Sequence, residues 1–138
     1  MFKTFSWVAC GLTLFALAVS SAAEAKPHLR DNIPINNQLF AAAVGDQIRR
    51  NCPSISARVG LVWRKARALE RYALEQGYTD DEIEDYLESK PDIRAMEARR
   101  DAYLAENGVR RGDAESYCAL GQAEISANSP IGELLRSR

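Results

Sequence analysis

Histidine and cysteine, the side chains that most often build metal and nucleophilic sites, are scarce in this sequence. Its 138 residues include one histidine, His28, and three cysteines. The chain also lacks a G-x-S-x-G sequence, a glycine-rich phosphate loop and a Walker sequence. Its 18 basic residues do not exceed its 19 acidic residues, so it lacks the basic excess typical of nucleic-acid-binding proteins. These absences argue against serine hydrolase chemistry, phosphate binding by such a loop and nucleic-acid binding.

Long apolar runs are also rare, because one begins the chain and no second one follows. Residues Phe5–Val19 are mostly apolar, follow a short basic start that contains Lys3, and precede small residues that end in Ala23-Glu24-Ala25. This arrangement is typical of a secretory signal peptide that is cleaved before Lys26. The run is too short for a membrane span. We therefore predict a signal peptide over residues 1–25 and a mature periplasmic protein without a membrane span.

The three cysteines fit an exported protein. Cys10 lies inside the leader and is removed with it, and Trp7-Val8-Ala9 before it matches a lipoprotein signal poorly. Cys52 and Cys118 remain as an even pair in an oxidising compartment, which predicts one disulfide bond. With both cysteines bonded and a single histidine, no zinc site can be built, and we predict no metal and no cofactor.

The mature chain has a lean core. Residues 26–138 number 113, of which 23 are Leu, Ile, Val or Phe, enough for a single small domain. The predicted disulfide closes a loop of about 67 residues, which contributes roughly 4 kcal/mol in the chain-entropy model. The bond is therefore expected to supply a large share of the stability.

Hydrophobic spacing and capping residues predict an all-α fold of five to six short helices after an extended arm at residues 26–35. The predicted helices cover about residues 36–50, from Ser54 or Ser56 to 77, 80–89, 91–108, 114–128, and a short last helix from Pro130 through Leu134 and Leu135. Thr79 and Glu82 form a capping box for the third helix. No stretch alternates with the period of a strand. Gly45, Gly60 and Gly121 are expected to mark close helix packing near the disulfide.

The second helix has the clearest pattern, with apolar residues at alternating steps of four and three. Its apolar seam consists of Ile55, Val59, Val62, Ala66, Leu69 and Ala73. Basic residues lie off this seam and, with one tryptophan, make up a predicted docking face: Arg58, Trp63, Arg64, Arg67 and Arg71. These basic residues either pair with the acidic third helix or face solvent, which is the favoured interpretation, or they dock on an acidic partner or lipid headgroups. Trp63 and Tyr72 flank the seam and are predicted to belong to the core.

The third helix is acidic, with six carboxylates in the nine residues 80–88. Capping and solubility are the favoured explanation. The alternative is a carboxylate acid/base pair, drawn from residues such as Glu82 and Asp85, that would make the protein a small hydrolase. His28 is interpreted as a solvated arm residue, because Pro27 before it has no amide proton to lose to a metal.

Several segments together resemble a small exported family of unknown function found in alphaproteobacteria. They are Asn51–Arg58, Gly77-Tyr78-Thr79 with Glu82-Ile83, Ser116–Gly121, Leu29–Asp31 and Ile131–Leu135. The resemblance covers essentially the whole mature chain, and these motifs are structural in type. It implies no known activity, cofactor or catalytic residue.

Members of that family are sometimes labelled as an iron–sulfur component of NADH dehydrogenase. The genuine component holds a [2Fe–2S] cluster on four cysteine thiolates, whereas the mature chain has two cysteines far apart behind an export signal. The label leaves one alternative, an accessory or assembly factor in peripheral contact with the respiratory membrane complex. The leading hypothesis is a non-enzymatic periplasmic helical protein that acts through contacts with a protein partner.

Overall fold

Five α-helices form most of the chain in this computed structural model, which describes residues 25–138. The helices are α1 (Ile33–Asn51), α2 (Val59–Glu75), α3 (Asp80–Glu88), α4 (Lys90–Glu106) and α5 (Ala114–Ser126). Two short strands, β1 (Ile55–Ala57) and β2 (Leu135–Ser137), and two 3-10 turns, Leu29–Asp31 and Gly132–Leu134, complete the fold. The predicted all-α class is confirmed, with a small sheet added. The predicted signal peptide, except its last residue, and Cys10 lie outside the described residues.

The central helix is α1, which packs against α4, α5 and β1. Its residues Val44 and Ile48 are fully buried, together with Cys52 and Ile55 just beyond its end. α1 begins at Ile33 rather than at the predicted residue 36, because the Asn32 side chain accepts a hydrogen bond from the Ile35 backbone N–H at 3.2 Å. Pro34 is tolerated there, since the first turn of a helix needs no N–H donor from it.

The sheet is the main departure from the predicted fold. Ile55, which was predicted to lie on the seam of the second helix, belongs to β1 and pairs with Ser137 of β2 in an antiparallel register. α2 begins only at Val59, and the predicted last helix is reduced to the 3-10 turn before β2. Strands of three residues are too short to show a period of two in the sequence.

The disulfide between Cys52 and Cys118 is present, with Sγ atoms 2.00 Å apart. It joins the residue that caps the end of α1 to the second turn of α5. Gly121 lies close by, and a Cβ atom there would come within 2.7 Å of Ile48 Cγ2 and closer still to Ile55 Cδ1. The close approach predicted for Gly121 is therefore confirmed, whereas it is wrong for Gly60, which is exposed.

The segment before α1 lies against the connection between α2 and α3. Leu29 is buried in a second small cluster with Ile35, Ala73 and Tyr78. The Tyr78 hydroxyl donates a hydrogen bond to the Pro27 carbonyl at 2.7 Å. The segment that was predicted to be an extended arm thus contains a 3-10 turn and a buried leucine. Among the described residues, no helix is both long and apolar enough to cross a membrane.

Candidate functional site

The outer side of α2 is the candidate functional surface. Of the 17 residues of α2, only Ala73 is buried. Val62 and Leu69 are partly buried and face the two apolar clusters. The helix therefore packs through a narrow seam and presents most of its circumference to solvent.

Three arginines share one side of α2 with a tryptophan. Arg64, Arg67 and Arg71 are spaced by three and four residues, which places them along the same side of the helix. Trp63 precedes Arg67 by one helical turn, and all four residues are exposed. We call Trp63, Arg64, Arg67 and Arg71 the basic face. It contains four of the five residues of the predicted docking face.

The fifth predicted residue, Arg58, has a different environment. It precedes the first residue of α2, and its backbone N–H donates to the Leu134 carbonyl at 2.8 Å. Its Nη1 donates to the Glu133 carbonyl at 3.3 Å. Arg58 therefore ties the start of α2 to the turn before β2 and lies apart from the basic face.

The most exposed large apolar side chains near the basic face are those of Trp63 and Val59, with exposed fractions of 64% and 61%. The prediction that Trp63 belongs to the core is wrong. The seam directs Val62 inward, and the next residue of a helix points about 100° away from its neighbour. Tyr72, the other flanking aromatic residue, does pack against the second cluster.

The arginines of the basic face have no ionic partner in the described part of the chain. None of Arg64, Arg67 and Arg71 takes part in any of the ion pairs found among residues 25–138. Their predicted pairing with the acidic third helix does not form, while their predicted exposure to solvent is observed.

Lys65, between the arginines in sequence, points elsewhere. Its Nζ lies 2.5 Å from Glu133 Oε2, and this hydrogen bond and charge lower the pKa of the Glu133 carboxyl. Lys65 thus helps to hold the turn before β2 against α2. The arginines of the basic face have no such structural task.

The carboxylates of α3 do not form an evident acid/base site. Glu82 accepts hydrogen bonds from Lys26 Nζ and from the Thr79 backbone N–H, at 2.6 Å and 2.8 Å, which confirms the predicted capping box. These contacts lower the pKa of Glu82, mainly through Lys26. A general acid near neutral pH requires the opposite shift. Asp85, the other residue named for a hydrolase, is exposed.

Two apolar cavities flank α3. One of about 210 Å³ lies between α1, α2 and α3 and is lined by Leu39, Val62 and Leu69, among others. The second, of about 240 Å³, lies between α1, α3 and α4, and Leu87 and Ile93 line it. Leu39 and Leu87 line both cavities. A discontinuous apolar surface therefore runs from α2 across α1 to α4.

A buried polar cluster was not anticipated from the sequence. Glu124 of α5 is buried and accepts hydrogen bonds from the hydroxyls of Tyr103 and Ser129. Burial of Tyr103 and its hydrogen bond to Glu124 raise the pKa of Tyr103 to about 12. The only sequence signal was the position of Glu124 beside the inner face of the fifth helix. This cluster joins α4, α5 and the following loop. Among residues 25–138, no group of three or more His, Cys, Asp or Glu side chains is arranged to hold a metal ion.

The fold and the surface together define a small, single-disulfide helical protein with one exposed basic helix. The chain belongs to a family of unknown function, DUF5333, whose model matches residues 27–136. This finding confirms the resemblance to a family of unknown function over nearly all of the predicted mature chain. No curated protein and no solved structure matches the chain.

Proposed function

We propose that the chain is a non-enzymatic periplasmic protein that binds an acidic surface of a protein partner through the basic face of α2. One observation carries this proposal: three exposed arginines without an ionic partner among residues 25–138 lie beside a tryptophan that is 64% exposed. No contact within the described fold accounts for these four side chains. A partner surface would account for all of them.

The composition of the basic face suits protein recognition. Tryptophan and arginine are enriched among the residues that dominate binding energies, because they bury a large area and make directional hydrogen bonds. Arginine keeps its charge at any physiological pH and pairs with carboxylates through two parallel hydrogen bonds. An acidic patch that also offers an apolar contact for Trp63 is therefore the partner surface that fits.

The compartment is part of the proposal. A basic start, an apolar run and small residues before Lys26 support export, and the Cys52–Cys118 disulfide is the bond expected in an oxidising compartment. The proposed absence of catalysis is supported by the environment of Glu82, whose lowered pKa and ion pair with Lys26 oppose a role as general acid.

The test is crosslinked affinity capture in the native host, with three forms of the chain compared. The wild type, an R64E/R67E variant and an R50E/R111E control are exported at equal levels. The control carries the same change of charge at exposed positions on α1 and on the connection between α4 and α5. We expect the wild type and the control to capture the same partner through peptides rich in Asp and Glu. Capture by R64E/R67E should fall about tenfold or more, the effect of roughly 1.4 kcal/mol or more of lost binding energy.

The proposal is wrong if R64E/R67E captures the partner as well as the control does. The identity of the partner also tests a narrower role, that of an accessory factor for a respiratory NADH dehydrogenase, which the labelling of similar alphaproteobacterial proteins suggests. Capture of a component of that membrane complex would support this role. Capture of other proteins only would argue against it.

A further inference from the structure

The outer side of α3 carries a surface opposite in charge to the basic face. Glu84 and Glu88 are one helical turn apart on α3, and both are exposed. Neither takes part in an ion pair found among residues 25–138, where Glu82 is the only residue of α3 that does. Between them in sequence lies Leu87, which is 52% exposed.

This acidic surface adjoins an apolar cavity. Leu87 lines the 240 Å³ cavity between α1, α3 and α4, together with Ile93 of α4, which is 40% exposed. Glu97 of α4 also lines it and is exposed. We call Glu84, Leu87, Glu88, Ile93 and Glu97 the acidic face. It combines carboxylates with an open apolar site, which are the two features that the basic face requires of a partner.

The two faces do not satisfy each other within one chain. α2 and α3 are consecutive helices, and yet no ion pair joins them in the described part of the chain. The chain as a whole is nearly neutral, with a formal net charge of −1, so two copies repel each other little. Opposite charges that remain separated on a nearly neutral protein favour pairing between copies.

We propose that the acidic surface bound by the basic face is the acidic face of a second copy of this chain. This inference rests on the proposed function and names its partner. Trp63 of one copy enters the cavity beside Leu87 and Ile93 of the other, and Arg64 and Arg67 face Glu84 and Glu88. Because each copy carries both faces, a two-fold axis makes the same contact twice and closes the assembly as a dimer.

Charge reversal on each face tests the dimer by sedimentation of the exported protein over a range of concentrations. R64E/R67E and E84R/E88R should each weaken dimerisation about tenfold or more, because like charges then face each other across both contacts. An equal mixture of the two variants should form a heterodimer, since each reversed face then meets its complement. The R50E/R111E control should dimerise like the wild type.

Trp63 gives a second readout that needs no variant. It is the only tryptophan after the predicted leader, since the other is Trp7. Its fluorescence should shift to the blue as the concentration rises and return to the red in high salt, which screens the charge pairs. Removal of the leader is verified by intact mass.

A wild type that stays monomeric at millimolar concentration, with unshifted Trp63 fluorescence, would overturn this inference. The same result combined with a heterologous partner lost only in R64E/R67E would leave the proposed function standing. Failure of the mixed variants to associate, when each is folded by circular dichroism, would also contradict the pairing of these two faces.

Discussion

The Cα atoms of Cys52 and Cys118 lie 5.1 Å apart, joined by a disulfide across 66 positions of sequence. Cys52 is 1% exposed and belongs to the main apolar cluster. The bond therefore fixes the end of the central helix to α5 at the point where β1 also meets the core. Nearly half of the chain lies between its two ends.

Removal of this bond should destabilise the fold strongly. C52S/C118S should lower the free energy of unfolding by roughly 2–5 kcal/mol, because the unfolded chain regains the freedom of a long loop. Urea unfolding followed by circular dichroism measures the loss. Either single variant should also leave one thiol that forms mixed disulfides or disulfide-linked dimers. Two reactive thiols in natively purified wild type would contradict the account.

Gly121 and Gly60 provide a matched pair of substitutions. Gly121→Ala should destabilise by roughly 1–3 kcal/mol, because the new methyl group must displace Ile48 and Ile55 in a packed core. Gly60→Ala, whose nearest neighbour is the flexible Arg64 side chain at 3.6 Å, should be neutral or stabilise α2 by up to about 1 kcal/mol. Thermal or urea unfolding of both variants decides the matter. Equal effects at the two positions would mean that α5 does not pack closely on Ile48.

The hydroxyl of Tyr103 should stabilise the fold through buried Glu124. Tyr103→Phe removes one donor and should cost roughly 1–3 kcal/mol at neutral pH. Tyr72→Phe, in the second cluster, serves as the control.

The same variant should change the response to alkaline pH. Since the pKa of Tyr103 is raised from 10.0 to about 12, the native state holds this proton more tightly than the unfolded chain does. The stability that results is fully present below the unfolded pKa and is lost as pH rises through the folded value. Unfolding free energies should therefore fall less steeply between pH 10 and about 12 in Tyr103→Phe than in the wild type. Parallel curves would contradict the assigned shift.

Export should remove the leader at one bond. The intact mass of protein recovered from the periplasm should correspond to a chain that starts at Lys26, because small residues precede the Ala25–Lys26 bond. A retained leader or a lipid-modified Cys10 would overturn the predicted compartment.

The helices were predictable because their ends are encoded locally. The Thr79–Glu82 capping box begins α3, and Gly77 and Gly108, both with positive φ, follow the helices that they end. The sheet was not predictable, because β1 and β2 have three residues each and lie about 80 positions apart. Their pairing is decided by burial of Ile55 and Leu135, which no local pattern reports.

The candidate site was predictable only in part. Helical spacing placed Arg64, Arg67 and Arg71 off the apolar seam of α2, and the structure agrees. The exposure of Trp63 and the lack of pairing with α3 depend on how α2 is turned against α1. The departure of Arg58 depends on the distant turn at Glu133. These relationships arise from tertiary packing and leave no signal in the sequence.

The most direct test of the basic face is site-specific photo-crosslinking in the living host. A photo-reactive residue replaces Ala68, which is exposed on α2 between the arginines, or Ala123, which is exposed on α5 and serves as the control. The account predicts a discrete crosslinked product from position 68, attached to an acidic peptide of the partner, and none from position 123. No product from position 68, or the same products from both positions, would contradict a docking role for the basic face.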